Sequence, residues 1–451
     1  MLLKNKIAVA IILFLFVLRA YNMENPFSTN GIDEGIHLLQ AKMVSHGYNY
    51  YEDLNGDQSP LAILVFSLFK GDVMSCRYLS YSLFIISSII LFLMAKKFGK
   101  NVAFLSLLII SLDFNLFRES RLASLDLFSA FFLLASSYFF MIYMDRKDWK
   151  FLAISSLLLS LSILSKLIPI FFVIFLLIYF IFIKRNIKHL TIYLLTFSIP
   201  FLFMLLLFTP HQMIEGIFLR QTHRGIDMYS KMSILLFISS CFVYLFSIRK
   251  WDLRDEKKLY LVSWTLFILI PIMVQGRTSQ HHFVYISYPL ALLSSIVINN
   301  KWNVKKRVIM TAFISFNIFL VVFFVFTAPH DISYRVADDV ESITEEKDLI
   351  ISGNPIVNVI ANRLAPPNLT NLAKYHYPET TLNDIIYWME RNETKVVILY
   401  YHLSEIEGLR EYLNMSNEWH FYEKVEGRGQ LLFHGVCPKF SQDVYEIYVK
   451  G

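Results

Sequence analysis

A carboxylate pair, Asp33-Glu34, stands in Gly31-Ile32-Asp33-Glu34-Gly35-Ile36-His37, just past the first apolar run of the chain. Ionisable groups at the edge of a bilayer are costly, which makes them functional candidates. The chemistry that suits the pair is proton abstraction, with a carboxylate taking the proton of an acceptor hydroxyl as an anomeric carbon is attacked. The plain alternative is a solvated loop start or a helix N-cap. A second acid, Asp126, closes the stretch Arg118-Glu119-Ser120-Arg121-Leu122-Ala123-Ser124-Leu125-Asp126, where four charges in nine residues interrupt two apolar runs. Two readings stand here. Arg121 pairs with Asp126 or Asp33 in a structural role, or Asp126 is a second active-site carboxylate facing the same cavity.

Cations follow at intervals. Lys166 sits between two apolar runs in Leu164-Ser165-Lys166-Leu167-Ile168-Pro169. It is either a lysine snorkelling to the interface or a cation for a lipid phosphate. Further on come Arg220-Gln221-Thr222-His223-Arg224 and Gln275-Gly276-Arg277-Thr278-Ser279-Gln280-His281-His282. Phosphate leaving groups want such donors, Arg bidentately and Lys as a point charge. The candidate phosphate-binding set is therefore Lys166, Arg121, Arg220, Arg224, Arg277 and His282. The pair His281-His282 suggests a metal, but adjacent residues on a helix do not face the same way and no third ligand is obvious. No metal or cofactor is assigned; a divalent cation is compatible with the chemistry but not indicated. Cys76, Cys241 and Cys437 have no metal spacing and imply no disulfide framework.

The elements that must position these residues are membrane helices. The chain of 451 residues is 55% hydrophobic, 16% aromatic and only 17% charged, below the share of a soluble domain. Its mean hydropathy is +0.49. The net charge of +6 lies in short clusters between apolar runs, which excludes a nucleic-acid footprint. Apolar stretches predict eleven spans, near 5–21, 74–95, 101–117, 124–144, 150–165, 167–184, 189–208, 232–248, 258–275, 283–299 and 307–327. The first follows Lys4 and Lys6 without a small-residue cleavage site and reads as a retained helix. Short basic connections at 96–100, 145–150, 184–188, 249–258 and 301–307 fall on one side, the cytoplasmic one by the positive-inside rule. That puts the N-terminus inside. It puts the loops 22–73, 118–123 and 209–231, the turns at Lys166 and 276–282, and the tail outside.

The division expected is a transmembrane domain, 1–328, with first outer loop 22–73, and an extracytoplasmic α/β domain, 329–451. In that tail Leu349–Ser352 and Lys395–Tyr400 predict strands. Thr381–Arg391 and Ser404–Tyr412 predict amphipathic helices with Thr381 and Ser404 as N-caps. Asn-x-Ser/Thr triplets at Asn368, Asn392 and Asn414 occur only there, which fits an outer location.

With their order and sidedness, these residues resemble the GT-C superfamily of polyprenyl-phosphate-dependent glycosyltransferases. The likeness is to the branch of dolichyl-phosphate-mannose protein mannosyltransferases and bacterial lipid A aminoarabinose transferases. It rests on Asp33-Glu34, Gly47 with Tyr51, Pro60-Leu61, Arg77-Tyr78-Leu79-Ser80, Arg121 to Asp126, Leu164-Ser165-Lys166, Phe218-Leu219-Arg220-Gln221, and His282-Phe283 to Pro289-Leu290. It spans about residues 1–300. The resemblance implies a polytopic α-helical GT-C-like membrane protein in which Asp33 is the base or positions the acceptor and Asp126 is the second acid. Lys166, Arg220 and Arg277 fall where cations meet the carrier phosphate. It implies inverting transfer of a monosaccharide from a dolichyl or undecaprenyl phosphate to a protein, lipid or glycan acceptor, in an extracytoplasmic cavity. Gln58-Ser59 departs from the basic residue and second Pro of many relatives, so a phosphate contact there is not carried over. The tail lacks the β-trefoil of eukaryotic protein mannosyltransferases and the Trp-Trp-Asp signature of oligosaccharyltransferases. Two competing functions are a lipid-linked sugar transporter or flippase and a non-catalytic accessory protein. Transporters carry broken midplane helices and repeated halves, and neither is visible.

Overall fold

In the computed structural model the residues described are 5–25, 31–220, 232–248, 253–275, 278–300, 303–372, 380–428 and 442–451. Each of the eleven apolar runs folds as helix. They are Asn5–Ala20, Val73–Lys96, Lys100–Leu112 with Phe114–Glu119, Leu125–Arg146, Trp149–Ser165, Ile170–Ile178 with Tyr179–Lys184, Ile187–Met204, Met232–Ser240 with Phe242–Ile248, Glu256–Val274, Val284–Asn299 and Val304–Thr327. Six are long and apolar enough to cross a membrane, and Lys100–Leu112, Trp149–Ser165 and Ile170–Lys184 are shorter apolar helices. The protein is an integral, multi-pass membrane protein.

The chain divides into two compact units, Met1–Met23 with Arg77–Phe208 and Ile226–Phe326, and Glu24–Cys76 with Thr209–Gly225 and Thr327–Gly451. In the first, the basic connections carry their own punctuation. Asp148 caps Trp149–Ser165, Asn186 caps Ile187–Met204 and Asp255 caps Glu256–Val274, each accepting a backbone N–H. Asp145 pairs with Lys97 at 2.6 Å and Lys257 at 2.5 Å, and Lys184 lies 2.8 Å from Glu256. Four of the five basic connections are thereby tied together at one end of the bundle, as strict alternation of the helices requires.

A break in the third run has a local cause. Asp113 leaves the helical conformation and accepts from the N–H groups of Asn115 and Leu116, starting a new helix. The carbonyls of Ile110 and Ser111 that lose their partners accept from the Arg19 guanidinium, at 3.4 and 2.8 Å. Tyr244 donates to the other Asp113 oxygen at 2.6 Å. Arg19 also lies over the rings of Phe84 and Phe117, so carbonyls and aromatic faces receive the buried cation while hydrogen bonds reach both oxygens of the buried acid.

The helices Leu125–Arg146 and Trp149–Ser165 form an antiparallel hairpin sealed by small residues. Ser129 and Ser162 each donate to the other's carbonyl, at 2.8 and 2.7 Å, and Ser136 donates to the carbonyl of Ser155 at 2.7 Å. Serines let two backbones approach and supply hydrogen bonds where lipid offers none. Carrying that register one turn further sets Asp126 opposite Ser165 and Lys166.

The second unit holds a four-stranded sheet in the order β1-β2-β4-β3, with β1 Leu349–Ser352, β2 Thr394–Leu399, β3 Trp419–Arg428 and β4 Gln442–Lys450. β1 and β2 are parallel; β4 runs antiparallel to β2 and to β3. Ile351, Val397, Leu399, Leu403, Leu409, Leu413, Trp419 and Tyr448 share its core. Thr381 caps Leu382–Met389 through a capping box with Asp384, as expected. Ser404 does not cap a helix. It ends the short helix Tyr401–Ser404, its hydroxyl donating back to the Tyr401 carbonyl at 2.6 Å, and the next helix, Leu409–Met415, begins after Gly408 at φ 83°. A left-handed glycine resets the chain there, and sequence periodicity alone does not register it.

The first-loop helix Gly31–Ser45 packs in this second unit against Pro355–Ile360, whose start is capped by Asn354. Gly35 makes the approach feasible, since a Cβ there would come 2.4 Å from the backbone N of Ile356.

Candidate functional site

In the first unit the site grows from the serine-sealed hairpin. Ser124 caps Leu125–Arg146 and places Asp126 in its first turn. Lys166 follows Trp149–Ser165 in an extended conformation, which turns its side chain back across the hairpin. Its Nζ lies 3.1 Å from Asp126 Oδ2. The Tyr285 hydroxyl donates to Asp126 Oδ1 at 3.1 Å, and His281 Nε2 stands 3.9 Å from Oδ2. Asp126, Lys166, His282 and Tyr285 are all buried. A buried acid is tolerated because each oxygen has a partner.

The turn that presents the histidines is itself held. Arg118 donates to the Gln280 side-chain oxygen at 3.0 Å, and Asn115 donates to the Gln280 carbonyl at 2.7 Å. Arg118 pairs with Glu119 at 2.7 Å, and Glu119 accepts from Ser124 at 2.5 Å. The cap of the Asp126 helix and the histidine turn are thus joined by one buried network. His282 Nδ1 lies 2.8 Å from Gln275 Nε2 and 3.3 Å from the N–H of Ser279. The three donor groups of Asp126, His281 and His282 lie within 4.8 Å of one another, a set able to hold a metal ion. His281 and His282 do not sit on an α-helix. They occupy a tighter turn, Gln280–Phe283, with rings 4.5 Å apart at 87°, so both can reach one point with Asp126 as the third donor. On the tight turn adjacency does not separate the two rings, and Asp126 is the third donor that was not obvious from the sequence.

Asp126 lies at the opposite end of its helix from Asp145, which the basic connections surround. At 1.5 Å per residue the two ends are about 30 Å apart, the thickness of a bilayer core.

Of the expected residues, the fold brings Asp126, Lys166 and His282 together. Arg121 is turned to the end of the first helix. Its guanidinium donates to the carbonyls of Leu18, Arg19, Tyr21 and Asn22, at 3.1, 2.8, 2.7 and 2.9 Å. It thereby collects the orphan carbonyls ending the first helix, and Lys166 holds the place beside Asp126 that the sequence offered to Arg121. Arg224 and Arg277 lie outside the described residues.

In the second unit Asp33 and Glu34 stand in the first turn of Gly31–Ser45, Glu34 buried and Asp33 half-buried. Acids at that position are favoured by the helix dipole. The loop beyond is built on Tyr50 and Tyr51, whose rings lie 4.8 Å apart and tilted by 54°. Tyr51 donates to the Gln58 carbonyl at 3.0 Å, Tyr50 accepts from the Gln58 N–H at 3.2 Å, and Gly56 lies against the Tyr50 ring. Gly216 in turn meets the Tyr51 ring and the Gly56 carbonyl. Arg220, one turn on, reaches Asn55 Oδ1 and Glu215 at 3.4 Å each.

Tyr285 and the Arg118–Glu119–Gln280 network escaped the sequence reading. Tyr285 lies four residues after His281, a spacing that on a continuous helix gives one face, and this was a usable signal in the sequence. The network crosses more than 150 residues of sequence and left none.

Residues 61–214 match the family model of dolichyl-phosphate-mannose-protein mannosyltransferase. No protein of curated function matches the chain. Among solved structures it is similar to ArnT from Cupriavidus metallidurans bound to undecaprenyl phosphate, with 11% identity, a TM-score of 0.65, and 98% of this chain and 97% of that one covered. The apo form of that ArnT gives 10% identity, a TM-score of 0.66 and the same coverage.

Proposed function

From the GT-C glycosyltransferase fold that this chain carries, we propose that it transfers a hexosyl group from a polyprenyl phosphate to an acceptor hydroxyl on the extracytoplasmic side of a membrane. The observation that carries the reading is the buried Asp126–Lys166 pair, ringed by His281, His282 and Tyr285 at the bundle end remote from the basic connections. Ionisable groups held at the end of apolar helices mark sites of function. The ArnT structure of like fold holds undecaprenyl phosphate, which supports a polyprenyl phosphate as the donor's carrier.

The roles follow residue chemistry. Asp33 takes the acceptor proton as the acceptor oxygen bonds to the anomeric carbon. The bond from that carbon to the phosphate oxygen breaks on the opposite face, the configuration inverts, and polyprenyl phosphate leaves with the electron pair. Glu34 lies beside the base. Lys166, Arg220, Arg224 and Arg277 are the cations for the departing phosphate, and Asp126 holds Lys166 in place until the carrier arrives. The N-terminus is cytoplasmic and the tail lies outside. The acceptor is a protein, a lipid or a growing glycan.

The test is transfer by the purified full chain from synthetic polyprenyl-phosphate hexoses to a panel of these acceptors, with the anomeric product resolved by NMR. Inverted product is expected. Asp33→Asn should lower turnover about 10²–10⁴-fold with the protein still folded. Unchanged turnover in that variant removes the base. Flux of lipid-linked sugar across vesicles with no bond formed replaces the enzyme by a flippase.

A further inference from the structure

We infer that Asp126, His281 and His282 form a binding site for a divalent transition-metal ion of the zinc class, with Lys166 as its competitor for the carboxylate. The donors come from two elements far apart in sequence. Asp126 is fixed by the first turn of its helix and the Tyr285 hydroxyl at 3.1 Å, while the two imidazoles project from the turn Gln280–Phe283. Their ligand atoms lie within 4.8 Å of one another, and His281 Nε2 is 3.9 Å from Asp126 Oδ2. Around a zinc ion the ligands stand about 2.0–2.2 Å from the metal, so the donors need close only by about an ångström. Two imidazoles and one carboxylate select a borderline ion such as zinc over Mg²⁺ or Ca²⁺, which prefer all-oxygen shells.

Further features favour this reading over a plain polar cluster. The Gln280 turn is locked by Arg118 and Asn115 at 3.0 and 2.7 Å, so the imidazoles are held in place before any ion binds. Gln275 lies 2.8 Å from His282 Nδ1. Together with the Ser279 N–H at 3.3 Å it fixes the orientation of that ring, the second contact that ligating histidines commonly make.

Lys166 sets the switch. Its ammonium occupies Asp126 Oδ2 at 3.1 Å, and an ion on the same oxygen repels it. Binding of the metal therefore releases Lys166 from its carboxylate, and loss of Lys166 tightens metal binding.

The inference concerns the cluster on which the transferase reading also rests, but it does not require sugar transfer to occur. The experiment uses the detergent-purified full chain, stripped with a chelator and desalted, then titrated with Zn²⁺ and with Co²⁺ as a spectroscopic probe. Stoichiometric retention of Zn²⁺ and a visible Co²⁺ absorption of mixed nitrogen and oxygen ligation are expected, with no retention of Mg²⁺. Asp126→Asn, His281→Gln and His282→Gln should each weaken Zn²⁺ binding by at least about tenfold, Gln275→Leu by less, and Lys166→Met should strengthen it. His402→Gln, in the other unit, should leave it unchanged. Zinc binding that is absent from the wild type, indifferent to all three ligand variants, or weakened by Lys166→Met overturns the site. If a ligand variant does not elute as folded protein, X-ray absorption of the zinc-loaded wild type decides, since a first shell without imidazole also overturns it. Transfer activity surviving in protein that binds no zinc removes the metal and leaves the transferase; zinc bound by a chain that transfers no sugar does the reverse.

Discussion

Asp126 and Asp33 are both carboxylates in the first turn of a helix, and their surroundings could hardly differ more. Asp126 is buried among apolar helices, with one oxygen on Lys166 and the other on Tyr285. Asp33 is half-buried at the start of a loop helix, beside the more deeply buried Glu34. Inside the bundle an acid without partners is too costly to keep, so its geometry is fixed by whatever satisfies it. At the start of a loop helix the dipole and water share that task, and among the described residues no single partner fixes the side chain. The comparison makes Asp126 an anchored acid and is compatible with the base role proposed for Asp33.

The sharpest way to break this comparison is to remove the partner of the anchored acid. Lys166→Met leaves Asp126 with an uncompensated charge and should destabilise the protein by about 3–5 kcal/mol, read as a lowered thermal unfolding midpoint in detergent. The double variant Asp126→Leu with Lys166→Met should recover most of that loss. Asp33→Asn should shift the midpoint by under about 0.5 kcal/mol. A loss as large as that of Lys166→Met would show that Asp33 too is an anchor, and the distinction would fall.

A smaller effect tests whether the first-loop helix depends on its tail contact. Gly35→Ala drives a methyl to 2.4 Å from the Ile356 backbone. We expect about 1–3 kcal/mol of destabilisation, seen as faster hydrogen exchange in Gly31–Ser45 and Pro355–Ile360 together. Exchange confined to one of the two would show that they do not act as one body.

The smallest effect concerns a third acid, in the sheet. Burial pushes the Asp443 carboxyl up to about 6, against the Tyr400 hydroxyl donating at 3.1 Å and aided by nearby Asp331. Between about pH 4 and 6 the folded tail keeps a proton that the unfolded chain has released. Stability from this group is therefore full below about pH 4, falls as pH rises to about 6, and is flat above. Asp443→Asn, which mimics the protonated acid, should protect β2 and β4 amides at pH 7 by up to about 2 kcal/mol and have little effect near pH 4. Equal protection at both values would show the acid to be ionised throughout.

Much of the fold was legible because membrane helices and buried strands are local patterns. Runs of Phe, Leu and Ile mark every bundle helix, and Leu349–Ser352 and Thr394–Leu399 appear as strands within a residue of their prediction. β3 and β4 were missed because Glu423, Lys424 and Glu426, and Asp443 and Glu446, interrupt their apolar pattern. Ser404 misled because serine is a common cap, whereas Gly408 at φ 83° is what starts the next helix. In the candidate site Asp126, Lys166 and His282 could be picked out by type, since charge amid apolar sequence is rare. Arg121 was picked out on the same ground and turned out to hold backbone carbonyls.

The sequence by itself determined which segments lie in lipid, which connections share an end, and which side chains carry charge into an apolar setting. These depend on composition and on a period of 3.6 residues, both readable locally. Only the tertiary structure decided who meets whom. Lys166 faces Asp126 because the Ser129–Ser162 and Ser136–Ser155 contacts set one hairpin register. The histidines converge on the same acid because Arg118 and Asn115 lock a turn more than 150 residues away. Pairing between distant segments rests on packing and register, and neither leaves a trace in the spacing of residues along the chain.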